Sequence, residues 1–130
     1  LISEEEYNNF VETMYLNSIP GMSEKLKNGI ETPLEECEKF GGNYKLMITK
    51  SAQKDKKKIK QYPALKRNVQ NLLELISENP FQNPPPYERF IGNLKQCYSR
   101  RINSQHRLVY MVYEEEKIIK IISMWSHYEF

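Results

Sequence analysis

The chain is poor in the residues on which specialised folds depend. Its 130 residues include only two cysteines, Cys37 and Cys97, far apart and without a CxxC spacing. That excludes a disulfide framework and a structural zinc site, and a reducing, cytoplasmic setting is expected. The five glycines build no phosphate-cradling loop, and a single aspartate, Asp55, offers no acidic cluster for magnesium. Neither a metal nor a cofactor is therefore expected. Apolar runs are only a few residues long, too short to span a bilayer. There is no secretory-type start, and the opening on Leu1 rather than Met is expected of a trimmed or fused product.

With 39% hydrophobic and 12% aromatic residues against 28% charged, the chain can build one core of ordinary domain size. The net charge of +2 conceals a strong asymmetry. Residues 1–42 hold nine Glu against three Lys, a net of −6, and residues 43–130 hold 16 Lys/Arg against eight Asp/Glu, a net of +8. An acidic arm thus precedes a basic body suited to an anionic partner such as nucleic acid. Clustering of ordinary solvated charge gives the same totals.

In the arm, Ser3 and Glu6 have the spacing of a capping box. Tyr7, Phe10, Val11 and Met14 then recur at helical spacing, and Pro20-Gly21 breaks the helix. A second helical segment carries Met22, Leu26 and Ile30 four apart; Thr32-Pro33-Leu34-Glu35 reads as a further capped start, and Gly41-Gly42 as a hinge. Helices this short are marginal alone, so Tyr7, Phe10, Val11, Met14, Leu26 and Ile30 are expected to pack on the body.

The body opens with a strand at 44–49, then a helix capped at Ser51 and rich in lysine. That lysine run suits a solvated face or a phosphate backbone equally well. Pro63 opens a stronger helix with Leu65, Val69, Leu72, Leu73 and Ile76 on one side, and prolines 84–86 stiffen the following loop. Residues 97–102, 106–113 and 117–124 read as strands joined by short links, an antiparallel meander. The layout is α+β: a strand and two helices packed on a twisted antiparallel sheet, with an added N-terminal helical arm.

Glu88, Arg100, Arg101, His106, Arg107, His127 and Tyr128 are the candidates for chemistry. A carboxylate, an imidazole and guanidinium groups suffice for RNA cleavage without metal: a base takes the ribose 2′-OH proton, a cation steadies the phosphorane, and an acid protonates the leaving oxygen. The same residues also serve as ordinary salt-bridge partners and exposed strand positions.

Two resemblances sharpen this reading. Ile2-Ser3-Glu4-Glu5-Glu6-Tyr7-Asn8, Glu12-Thr13-Met14-Tyr15-Leu16 and Ser18-Ile19-Pro20 resemble the C-terminal half of YefM/Phd-type antitoxins, the part that leads into the toxin-wrapping tail. Asn79-Pro80-Phe81, Glu88, Tyr98-Ser99-Arg100-Arg101-Ile102, His106-Arg107-Leu108-Val109-Tyr110 and His127-Tyr128 resemble the Txe/YoeB toxins of the RelE/ParE superfamily. The second resemblance implies a RelE-like fold at residues 43–130 and cleavage of mRNA in the A site of the bacterial ribosome. It implies Glu88 as base, Arg107 as phosphate-stabilising cation and His127 as acid, with Arg100, Arg101, Lys95 and Tyr128 contacting RNA. Prolines 84–86 and Ile91 stand where the family often has a Gly/Lys-rich loop and a lysine, and Glu129-Phe130 extend past its usual end.

The first resemblance implies that residues 1–42 form an antitoxin-like arm. An arm attached in cis acts at high effective concentration, docking within one chain or by exchange in a homodimer. An imidazole of ordinary pKa, about 6.5, is a modest acid at neutral pH, so weak cutting of free RNA is expected. The alternatives are a superfamily toxin that acts by binding alone, and an inert self-paired toxin–antitoxin module.

Overall fold

The computed structural model describes residues 1–34 and 42–126. Helix α1 (Glu4–Asn17) starts at the expected capping box: Glu6 N donates to Ser3 Oγ at 3.0 Å and Ser3 N to Glu6 Oε1 at 3.3 Å. Glu4, Glu5 and Glu6 complement the positive end of its dipole. Gly21, at φ 81°, turns the chain into α2 (Met22–Glu31). The expected start at Thr32-Pro33-Leu34-Glu35 runs out of the described residues, as does Gly41. Gly42 is packed rather than open. A Cβ there would stand 2.5 Å from the Ser77 carbonyl oxygen, which also accepts from Tyr44 N at 2.9 Å.

The body continues with β1 (Lys45–Ile48), α3 (Lys50–Ile59) and α4 (Pro63–Glu78), then β2 (Glu88–Arg89), a 3-10 turn at Gly92–Leu94, β3 (Tyr98–Arg101), β4 (Arg107–Tyr113) and β5 (Ile118–Ser123). Thr49, not Ser51, caps α3, accepting from Ala52 N at 3.2 Å, because it holds the extended φ/ψ that a cap needs. Among the described residues the strands form a sheet in the order β1-β5-β4-β3-β2. The expectation of a wholly antiparallel sheet is corrected: β1 runs parallel to β5, so the sheet is mixed. The cause is the crossover. α3 and α4 carry the chain over one face, the meander returns along the other strands, and β5 arrives beside β1 in the same direction. β2 escaped the pattern reading because two residues show no alternation.

Both faces of the sheet are covered. α3 and α4 bury Ile59, Val69, Leu73 and Ile76 against Leu108, Tyr110, Ile119 and Ile121. On the opposite face Leu16, Met22 and Leu26 of the two N-terminal helices pack with Phe90, Val109, Met111 and Ile122. That is why β4 and β5 are almost continuously buried instead of alternating.

The arm is tied down by more than apolar contact. Lys25 Nζ bridges buried Asp55 at 2.6 Å, and Lys120 Nζ donates to the carbonyls of Ile30 (2.9 Å) and Thr32 (2.8 Å), a cation at the C-terminus of α2. Burial holds the Lys120 pKa below the ordinary lysine range.

The contact face of α1 is the reverse of the one expected. Leu26 and Ile30 of α2 pack on the body, but Tyr7, Phe10, Val11 and Met14 are 56%, 47%, 45% and 53% exposed. Asn9, Glu12, Thr13 and Leu16 face the sheet instead. The reason lies in what α1 covers. Arg89 N donates to Asn9 Oδ1 at 3.0 Å and Ile91 N to Thr13 Oγ1 at 3.2 Å, which satisfies one amide of the edge strand β2 and one just beyond it. Beside them Arg107 becomes buried. An apolar stripe would leave these groups desolvated and unpaired, at about 1–3 kcal/mol each and more for the charge.

At Gly29 of α2 the arm lies tight against the body: an added Cβ would lie 2.3 Å from Ile122 Cγ2. Gly29→Ala gains about 1 kcal/mol of helix propensity, but overpacking costs about 1–3 kcal/mol, so the clash wins. Hydrogen exchange should show faster exchange across α2 with α3 and α4 unchanged. Undiminished protection in α2 would mean that the contact relaxes at no cost.

Candidate active site

Strand register assembles the site. Glu88 pairs with Ser99, Ser99 with Val109, and Arg101 with Arg107. Val109 packs in the core under α1 and α2, so Glu88, Ser99, Arg101 and Arg107 share the face that the arm covers. Arg107 is 5% exposed. Its Nε donates to Glu12 Oε2 at 2.9 Å, and its Nη1 to the carbonyls of Asn103 (3.1 Å), Ser104 (3.3 Å) and His106 (3.3 Å). The Tyr15 ring lies 4.7 Å from the guanidinium carbon, and the Tyr15 hydroxyl donates to Gln105 O at 2.7 Å. Ser99 Oγ donates to the same Glu12 oxygen at 2.5 Å.

Glu88 is half-buried at the rim, and a groove between α1 and the proline loop opens beside it, lined by Glu4, Asn8, Tyr87 and Glu88. Its pKa lies above the usual carboxylate range because of burial and then the Glu12 charge, against lowering by Arg101, Arg107 and Arg100. A carboxylate shifted toward neutrality is a better proton acceptor at the site than one of ordinary acidity.

Arg101 and Lys95 are exposed and free to meet a large anion; the Lys95 carbonyl accepts from Arg89 Nε at 2.9 Å. Arg100 is placed otherwise than expected. It is 1% exposed, on the opposite face, where Nε donates to Tyr110 Oη (3.0 Å) and Nη1 and Nη2 to the carbonyls of Pro85 (2.9 Å), Pro80 (3.1 Å) and Gln82 (2.7 Å). Neighbouring strand residues point to opposite faces, so Arg100 and Arg101 cannot share a ligand. Arg100 anchors the proline loop. Arg100→Met should lower the unfolding midpoint by on the order of 10 °C, since the buried Pro80 carbonyl and two part-buried carbonyls lose a charged donor. An unchanged melt would mean that Arg100 does not anchor the loop.

His106 stacks on Trp125 at 4.3 Å and accepts at Nδ1 from Ser126 N (3.0 Å), while Ser126 Oγ accepts from Arg107 N at 3.1 Å. His127 and Tyr128 lie outside the described residues, as do Glu129 and Phe130. Buried Cys97 has its thiol pushed up to about 12, which leaves it inert as a nucleophile.

The sequence reading missed Glu12, Tyr15 and Ser99. One signal was available for Glu12, the sole charged residue between Tyr7 and Ser18. Another was strand parity, which puts Ser99 with Arg101 rather than with Arg100.

Residues 49–128 match the family model described as the YoeB-like toxin of bacterial type II toxin–antitoxin systems. Toxin YoeB of a Synechocystis species is 36% identical over 77 residues, 59% of this chain and 79% of that protein. The YoeB/ParE toxin of Agrobacterium tumefaciens superposes with a TM-score of 0.59 at 25% identity, over 64% of this chain and 98% of that one. The YoeB–YefM complex of Staphylococcus aureus gives a TM-score of 0.58 at 33% identity, over 65% and 98%.

Proposed function

The chain belongs to the YoeB-like toxin family of bacterial type II toxin–antitoxin systems, and on that premise we propose that its body is a ribosome-dependent endoribonuclease held closed by its own N-terminal helices. Glu88 takes the proton from a ribose 2′-OH, and the freed oxygen attacks the adjacent phosphorus. Arg107 neutralises the charge that builds on the pentacoordinate phosphorane. His127, the residue after anchored Ser126, protonates the departing 5′ oxygen, leaving a 2′,3′-cyclic phosphate and a 5′-OH end. Arg101 and Lys95 meet the RNA backbone, and Tyr128 places the nucleotide at the cut.

The observation that carries the reading is the pairing on one face of a carboxylate of raised pKa, Glu88, with a rigidly held Arg107, capped by an acid from the −6 arm. α1 and α2 then act as a neutralising segment in cis, of antitoxin type. The solved chains of the relatives match about two thirds of this chain over nearly their whole length.

The burial of Arg107 favours a second reading, a permanently closed module that never cuts RNA. Mapping mRNA 5′ ends on programmed ribosomes separates them. The full chain should cut weakly and Gly29→Ala more strongly, at discrete A-site positions that vanish when His127 is also Ala. Absence of cuts from an opened, folded chain rejects the nuclease.

A further inference from the structure

Two buried donors converge on a single atom. Arg107 Nε on β4 and Ser99 Oγ on β3 hold Glu12 Oε2 at 2.9 and 2.5 Å, and the two residues are 5% and 1% exposed. Both positions are also held by contacts from outside the arm. The three carbonyls on Nη1 fix the guanidinium, and the β2–β3 and β3–β4 ladders fix Ser99. An oxygen bearing negative charge between a guanidinium N–H and a hydroxyl is bound as a phosphate's non-bridging oxygen would be, by charge-assisted hydrogen bonds. Ser99 is also the strand partner of Glu88, with their Cα atoms roughly 5 Å apart as for any directly opposed pair. The anion grip and the proton acceptor therefore stand at directly opposed positions on neighbouring strands.

We infer that Ser99 and Arg107 together form the subsite for the scissile phosphate, and that Glu12 is an internal ligand occupying it in competition with RNA. This rests on the ribonuclease reading for the identity of the substrate, while the anion preference stands on the geometry alone. Ser99 thereby becomes a substrate-contacting residue. The arm becomes a competitive inhibitor whose release and anion binding are linked: whatever fills the subsite weakens docking of α1, and docking weakens the anion by the same factor.

The test uses the full chain as wild type, Glu12→Ala and Glu12→Ala/Ser99→Ala. Inorganic phosphate is titrated against sodium chloride of matched ionic strength, and the Arg107 Nε–H signal is followed by NMR. Glu12→Ala should half-saturate at phosphate concentrations at least about tenfold below wild type, and loss of the Ser99 hydroxyl should weaken binding again by about tenfold. If Glu12→Ala does not fold, Glu12→Gln keeps the shape, removes the charge and should bind in the same order. Equal half-saturation with and without Glu12, a Ser99 effect below twofold, or an identical response to chloride each overturns the subsite. Ribosomal cleavage is read separately. Phosphate binding without cutting keeps the subsite and removes the nuclease, whereas cutting that is indifferent to Ser99 removes the subsite and keeps the nuclease.

Discussion

Replacing Glu88 by Gln in a chain opened by Gly29→Ala is expected to lower ribosomal mRNA cleavage by about 10²–10⁴-fold, the range a positioned general base contributes. The substitution keeps the size of the side chain and its place opposite Ser99 while removing its capacity to take a proton. Stability should not fall with activity. Glu88 carries a raised pKa, so its ionised form is disfavoured in the fold, and whatever it contributes to stability is present at low pH and lost as pH rises through that value. At neutral pH a neutral amide is therefore tolerated. A cleavage rate within tenfold of the parent would remove Glu88 from the mechanism.

The same pKa gives a pH test. The base must be ionised, so the rate climbs as pH rises through the Glu88 pKa. Glu12 is the charge that raises this pKa, after burial. Changing Glu12 to Ala removes that charge and loosens the covering helix, and both effects lower the pKa. The acidic limb of the rate profile should accordingly sit at lower pH in Glu12→Ala than in the parent chain, where Glu12 stays docked beside Glu88. Coincident limbs would mean that the limb reports another group.

Much of the body was legible because its signals are local. Pro63 at the start of α4, the leucine and isoleucine stripe, and the three short-linked strands each depend on near neighbours in sequence. The parallel pairing of β1 with β5 joins residues more than seventy positions apart, and no local pattern encodes it. The arm was legible as two helices but not as an interface. The hydrophobic rule assigns the apolar stripe inward, and here the body offers α1 an arginine, a serine and the unpaired amides of an edge strand. What α1 must supply to that surface is hydrogen-bond acceptors. Arg100 and Arg101, adjacent in one motif, illustrate the same gap. The motif marks both as important, and only the pleat separates a loop anchor from an exposed cation.

The larger gain is expected from Glu12 itself. Removing one member of a buried, hydrogen-bonded ion pair typically costs about 3–5 kcal/mol, because the other charge is left without a partner. Burying one leucine stabilises by about 1.5–3 kcal/mol, so the loss rivals the anchoring supplied by Leu16 and Leu26 together. The body does not have to unfold to relieve Arg107, since lifting α1 returns the guanidinium to water at once. Glu12→Ala should therefore speed hydrogen exchange in α1 and along β2 while leaving α4 and β5 protected. Ribosomal cleavage should rise by about 10²–10³-fold over the full parent chain, the factor that 3–5 kcal/mol of docking implies once ordering costs are deducted. Increased cleavage with α1 still protected would place the inhibition elsewhere than in docking. Released α1 with no increase would show that the arm is structural, and that access to Arg107 is not what limits the enzyme.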